Sequence, residues 1–127
     1  IHDGARPLVR VEDIENTIRQ AKENKAAAVG VPVKDTIKII DKDSFVVETP
    51  ERSSLFAVQT PQIFDFKMYS ELLEKAVADG KDFTDDCQLA EYSGVKVKMV
   101  EGSYSNIKIT TPDDIPVAES LLKKEEV

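Results

Sequence analysis

Val11, Ile14, Ile18 and Ala21 recur at helical spacing through VEDIENTIRQAKENK, which puts an apolar stripe on one face and the charges on the other. The spacing predicts a surface helix. AAAVGVPV (26–33) is a continuous small and apolar run, as expected of a strand buried on both faces. TIKIID and FVVETP flank Lys42-Asp43-Ser44, so residues 35–49 predict an antiparallel hairpin with a polar turn. Its alternation is poor. Ile37, Ile39 and Ile40 sit beside Lys38 while Phe45, Val46 and Val47 are consecutive, so the hairpin is expected to project and pack on something outside its own domain.

FAVQTPQIF (56–64) predicts a strand broken at Pro61. Phe66, Tyr69, Leu72, Leu73, Ala76 and Val77 then form a helical stripe that Asp79-Gly80 stops. Thr84 is expected to cap DDCQLAEYSG, with two carboxylates in the first turn and Gly94 at the exit. VKVKMV and NIKIT alternate as strands. In Thr111-Pro112-Asp113-Asp114 a threonine cap, a proline at the first helical position and an acid three residues after the cap mark a last helix, expected to bury Ile115, Ala118, Leu121 and Leu122.

Strands alternating with helices in this order predict one α/β domain over residues 1–127, with a doubly wound sheet. Ligands of such sheets bind beyond the carboxyl ends of the strands. The segments to search are therefore HDGARP (2–7), KDTIK (34–38), ERSS (51–54), QTPQ (59–62) and DFTDD (82–86), with NIKIT (106–110) supplying one strand face. The chain opens on Ile1-His2-Asp3-Gly4 without an initiator Met, as if a strand were meeting a loop, and is expected to be a fragment lacking its N-terminal part.

Composition narrows the chemistry. A chain of 127 residues can bury roughly two-thirds of its unfolded surface in one core. A net charge of −7 argues against a nucleic-acid surface, which needs a concentrated basic stripe. The single cysteine, Cys87, excludes an internal disulfide and a multi-cysteine zinc site. No signal peptide or long apolar run is present, so a cytoplasmic protein with no membrane partner is expected.

Asp3, directly after a strand, suits Mg²⁺, which takes one or two carboxylates and completes its shell with phosphate and water. Arg6 offers a planar fork for phosphate or carboxylate. The same hexapeptide also reads as an N-capping Asp and a surface arginine. In NIKIT, Asn106, Lys108 and Thr110 share one face and Ile107 and Ile109 the other, so three polar groups point to one place; a solvated edge strand carries the same pattern. His2, the only histidine, is expected to make a structural hydrogen bond, and Cys87 to be a buried, inert thiol. Two acids in TDD are ordinary for a first helical turn.

In combination, IHDGARPLV, VPVKDTIK, ERSSLFAVQTPQIF, FTDDCQLAEYSG and NIKITTPDDIPVAE, in this order and at these spacings, closely resemble the 2-C-methyl-D-erythritol 4-phosphate cytidylyltransferase family of non-mevalonate isoprenoid biosynthesis. The resemblance covers essentially the whole chain. It implies the C-terminal portion of a cytidylyltransferase that joins CTP and a sugar-alcohol phosphate to give a CDP-alcohol and pyrophosphate. It also implies a Rossmann-like, mostly parallel sheet, incomplete at the N-terminus, with residues 35–52 as a β-arm that clasps a second subunit in a homodimer. The family's glycine-rich CTP loop has no counterpart in these residues, so this chain alone is expected to be inactive. Ser105 stands where family members often carry an acid, which weakens any second metal ligand.

The resemblance implies that Asp3 lies near Mg²⁺ and the CTP phosphates, and that Arg6 and Thr36 contact the methylerythritol phosphate. It makes Arg52 the arginine that positions that phosphate, Thr60 and Thr84 hydroxyl contacts in the same pocket, and Lys108 the lysine that positions the attacking phosphate. An anionic phosphate nucleophile needs no general base, so the lack of a catalytic histidine or cysteine agrees with this chemistry. Two alternatives stand beside it. Ribitol-5-phosphate cytidylyltransferases share the fold and several motifs, though HDGARP and RSSLFAVQTPQ fit the methylerythritol enzymes better. The other is a non-catalytic dimerisation module.

Overall fold

The computed structural model describes residues 1–125. Its centre is β1 (Ala26–Pro32), where Ala26 to Val29 have no exposed surface. Since successive strand residues point to opposite faces, this run must be covered on both sides. β1 pairs antiparallel with β4 (Phe56–Phe64) and parallel with β5 (Lys98–Glu101), giving the order β4-β1-β5.

The covers come from helices. Ile63 lines a cavity with Ile18 and Ala21 of α1 (Val11–Asn24), whereas Gln62 accepts a hydrogen bond from Cys87 N at the start of α3 (Asp86–Tyr92). Neighbours on one strand face opposite ways, so α1 and α3 flank the sheet on opposite sides. That is the doubly wound α/β arrangement expected from the sequence. α2 (Phe66–Ala78) packs on α3, and α4 (Asp114–Glu125) ends the described chain.

Several expectations change once the elements are packed. β4 runs as one element from Phe56 to Phe64, but its pairing with β1 lapses at Gln59–Pro61, three residues that stand opposite Val29 alone, so the break expected at Pro61 takes the form of a bulge. NIKIT is no strand. It lies in the chain that follows β5, tied by Ile109 N to Ala5 O at 2.8 Å, and β5 itself takes only the end of VKVKMV. The cap of α3 is Asp85, which accepts from Gln88 N at 2.7 Å, while the amide and hydroxyl of Thr84 both donate to the Gln88 side chain. At α4 the expected acid works as foreseen, since Asp114 accepts from the main-chain N–H of Thr111 at 3.0 Å. Only Ala118 of its expected stripe is buried; Ile115 and Leu122 are exposed, as are Phe66 and Val77 of α2.

The seam of α1 also differs from its apolar stripe. Asp13, Thr17 and Ala21 are buried, while Val11 and Ile18 are exposed. Close approach explains the rotation. A Cβ on Gly102 would lie 2.6 Å from Val29 Cγ1 and 3.5 Å from Asp13 Oδ2, so at the nearest point only small or short side chains fit.

Asp13 Oδ2 is buried there without a hydrogen-bond partner. Burial pushes its carboxyl above the ordinary carboxylate value, with Arg10 opposing the rise and Glu12 adding to it. The folded protein thus holds that proton more tightly than the unfolded chain. The resulting penalty is absent below the ordinary carboxylate pKa of about 4 and grows as pH rises through the raised value. Thermal unfolding between pH 4 and 7 should therefore fall less with pH in Asp13→Asn than in the parent protein. Parallel pH profiles would show that Asp13 titrates alike in both states.

β2 (Ile39–Ile40) and β3 (Val46–Glu48) form the expected hairpin, apart from the main sheet. Every residue from Asp35 to Thr49 is exposed, including Phe45 at 71% and Val47 at 65%. Its turn is closed by Asp41, whose carboxylate accepts from the amides of Asp43 and Phe45. The base is pinned: Lys34 Nζ lies 3.8 Å from the centre of the Tyr104 ring, and Arg52 donates to Lys34 O at 2.7 Å. Among the described residues no helix is long and apolar enough to cross a membrane.

Candidate functional site

The N-terminal segment runs beside β4. Ile1 and Gln62 exchange two main-chain hydrogen bonds of 2.9 Å, and Asp3 N donates to Thr60 Oγ1 at 3.0 Å. His2 closes the loop, with Nδ1 2.9 Å from Thr60 Oγ1 and Nε2 3.0 Å from Arg6 O. A carbonyl only accepts, so Nε2 carries the proton and Nδ1 accepts from the Thr60 hydroxyl, whose oxygen takes the Asp3 amide. His2 therefore makes the structural hydrogen bonds expected of it. Thr60 is committed to holding Asp3 in place.

Asp3 gathers the cations. Arg6 Nε lies 3.5 Å and Lys108 Nζ 3.8 Å from Asp3 Oδ2. Arg6 also donates from Nη1 to Asn106 O at 2.7 Å, while its Nε is buried without a hydrogen bond of its own. Lys108 is half-exposed, and an open pair of this kind stabilises by about 0–1 kcal/mol, so little holds the amine back from an arriving anion.

These three side chains border a cleft of about 230 Å³. Thr60 and Thr84 line it too, and so do Asp85 and Asp86 at the start of α3. Two of the acids are already occupied, since Asp85 caps the helix and Asp86 accepts from the Tyr69 hydroxyl. Burial, together with that carboxylate, raises the Tyr69 pKa to about 12. Cys87, just behind, is buried and pushed up to about 12, the inert thiol expected of it.

Five of the seven expected site residues thus meet at one cleft: Asp3, Arg6, Thr60, Thr84 and Lys108. The other two do not. Thr36 stands exposed on the arm, and Arg52, in the 3-10 turn Arg52–Ser54, is exposed at its base. Nor does the polar face of NIKIT converge, because Asn106 is buried, Lys108 faces the cleft and Thr110 turns to Asp114. Within QTPQ, a segment marked for search, sequence reasoning singles out only Thr60 and not Gln59 or Gln62, although each is a buried amide at the cleft. The available signal was two glutamines flanking Thr60-Pro61 inside a strand apolar at both ends.

For a divalent cation, Asp3 is a fitting ligand. Both of its ion pairs fall on Oδ2, which leaves Oδ1 for a metal, and Mg²⁺ can make do with one carboxylate when phosphates and water complete its shell. Among the described residues no group of three or more His, Cys, Asp or Glu could hold a metal alone.

Comparison with known proteins matches this arrangement to one family. The family model described as IspD, 2-C-methyl-D-erythritol 4-phosphate cytidylyltransferase, matches residues 1–124. The enzyme of that name from Caldanaerobacter subterraneus subsp. tengcongensis is 56% identical over 98% of this chain and 55% of its own length. That from Desulforamulus reducens is 48% identical over 98% of this chain and 53% of its own. The chain thus spans about half the length of the curated relatives it matches. Among solved structures, the 4-diphosphocytidyl-2C-methyl-D-erythritol synthase of Anaerococcus prevotii superposes with a TM-score of 0.90 at 45% identity, covering 96% of this chain and 55% of that one. The Thermus thermophilus cytidylyltransferase follows at 0.84 and 33% identity, covering 96% and 60%. With the fold, the cation cluster on Asp3 and a match along nearly all its residues in agreement, the chain belongs to the 2-C-methyl-D-erythritol 4-phosphate cytidylyltransferase family.

Proposed function

We propose that the whole protein transfers a cytidylyl group from CTP to 2-C-methyl-D-erythritol 4-phosphate in non-mevalonate isoprenoid biosynthesis, and that these residues form the sugar-phosphate side of its site. The observation that carries this is the grouping of Arg6 and Lys108 on Asp3 at the mouth of a polar cleft. A phosphate oxygen of the alcohol attacks the α-phosphorus of CTP, a new P–O–P bond forms, the bridge to the β-phosphorus breaks and pyrophosphate leaves. No proton has to move. The protein's task is to hold two repelling polyanions in line, which is work for fixed cations rather than for a base.

Lys108 exchanges its weak pair with Asp3 for the substrate phosphate, and Arg6, steadied by Asn106 O, offers its remaining N–H groups to the same anion. Thr84 lines the same cleft. Asp3 would hold Mg²⁺, which supplies charge neutralisation on the CTP phosphates. The exposed apolar arm is the motive for a homodimer in which residues 35–52 cross to the partner and present Thr36 and Arg52 to its cleft. The reaction belongs in the cytoplasm, where both charged substrates are dissolved.

Incubation of the whole protein with CTP, Mg²⁺ and either alcohol phosphate tests the reading. Methylerythritol phosphate should release pyrophosphate with matching CDP-alcohol, and ribitol 5-phosphate should be a far poorer substrate; the reverse order would overturn it. The 127-residue chain by itself should form no product, because its cleft sets two cations against three carboxylates and cannot neutralise a triphosphate. Product from that chain, free of longer enzyme, would contradict this.

A further inference from the structure

Arg6 and Lys108 come from segments about a hundred residues apart, and neither lies in the sheet. Something must fix their spacing. The chain after β5 reaches Lys108 through a stretch without strand or helix, held where Gly102 N donates to Gly30 O at 2.9 Å and Ile109 N to Ala5 O. Between those anchors sits Asn106, with no exposed surface. Its Nδ2 donates to Thr60 O at 2.9 Å and to Gln59 Oε1 at 3.1 Å, and its main-chain carbonyl receives Arg6.

The orientation of these amides is not a matter of choice. Thr60 O can only accept, so Nδ2 of Asn106 must face it; Gln59 Nε2 donates to Ser103 O at 3.1 Å, which leaves Oε1 for Asn106. Gln62, on the same strand, donates to the main-chain O of Gln59 at 3.4 Å and accepts from Cys87 N, which ties this part of β4 to the start of α3. Stability alone does not account for it. Asn106 Oδ1 is buried without a partner, an arrangement that pure packing disfavours.

We propose that Asn106, with Gln59 behind it, is a positioning residue of the cleft. It welds the chain carrying Lys108 to β4 and at the same point seats Arg6, so the two cations reach one phosphate at a set spacing. This rests on the functional reading above for the identity of that phosphate, but the geometry can be tested without it.

In the whole protein, Asn106→Ala should lower kcat about tenfold to a hundredfold, as expected when a charged group is misplaced by about an ångström, and raise KM for the alcohol phosphate while KM for CTP stays within about twofold. Placed on Lys108→Ala, the same change should cost clearly less than it does alone, because part of its effect acts through that lysine. Full multiplication of the two effects, or an equal rise in both KM values, would overturn the proposal. A crystal structure of the variant gives a readout independent of turnover: the sheet should be unchanged, with the chain at residue 106 shifted so that its main-chain carbonyl, which alanine keeps, no longer reaches Arg6 and the Lys108–Asp3 ion pair is broken. If both contacts persist, Asn106 does not position anything. Should Asn106→Ala fail to fold, Gln59→Glu retains the acceptor for Asn106 but turns a carboxylate oxygen on Ser103 O, and the same split between the KM values decides. If the parent protein makes no CDP-alcohol, the functional reading falls, and the crystal structure still decides on Asn106.

Discussion

Mixing Arg52→Ala with Lys108→Ala in the whole protein should restore activity well above that of either variant. Each change removes a charge-assisted contact to phosphate, a loss of about 1.5–3 kcal/mol or roughly tenfold to a hundredfold. The two residues belong to different parts of the chain's surface. Lys108 borders the cleft, whereas Arg52 stands at the base of an exposed arm, bonded to Lys34 O. If that arm serves a partner's cleft, a hybrid dimer carries one site with both cations and one with neither. Random exchange then leaves about a quarter of all sites intact. Arg52→Lys should not substitute for arginine, since a point charge lacks the planar fork. No recovery, with subunit exchange demonstrated by mass, would mean that both residues serve one site from one chain or do not act there.

Gly30→Val should cost the fold about 3 kcal/mol or more, in the upper part of the range for overpacked cores. Gly30 lies at the middle of β1, between its antiparallel and parallel neighbours. A Cβ there would sit 2.7 Å from Met99 Cε, 2.9 Å from Ala57 O and 3.0 Å from Phe56 Cδ1. Met99 can turn aside, because its thioether is flexible. The carbonyl of Ala57 cannot move without disturbing the pairing of β1 with β4. Gly4, whose Cβ would meet nothing within 4 Å, makes the control, and Gly4→Ala should unfold close to the parent. Urea midpoints measure both. Equal midpoints for Gly30→Val and Gly4→Ala would show that β4 gives way more easily than its pairing implies.

The elements that sequence located well are those governed by local rules. α1 runs Val11–Asn24 and β1 Ala26–Pro32, as periodicity and a small apolar run indicate, and the hairpin turns where Lys42-Asp43-Ser44 was expected. The motif in HDGARP and the lysine of NIKIT pointed to residues that do meet, with Lys108 and Arg6 both on Asp3. Where sequence misled, a neighbour intervened. NIKIT alternates like a strand, but among the described residues no strand pairs with it, whereas the break expected at Pro61 does appear, as a bulge inside β4.

Period and composition, which act within a few residues, were enough to determine the α/β class, the order of elements as far as β5, an exposed apolar hairpin and the residue types suited to holding phosphate. Contacts between distant segments were decided only by the tertiary structure. Asn106 illustrates the division: its spacing placed it beside Lys108 on a polar face, yet burial against Gln59 and Thr60 makes it the seat of Arg6 instead of a surface group. The face a side chain presents is set by which surface reaches it first. The close approach of α1 and Gly102 to β1 drew Asp13 and Thr17 inward and left Val11 and Ile18 outside, a choice that backbone distance makes and hydropathy cannot.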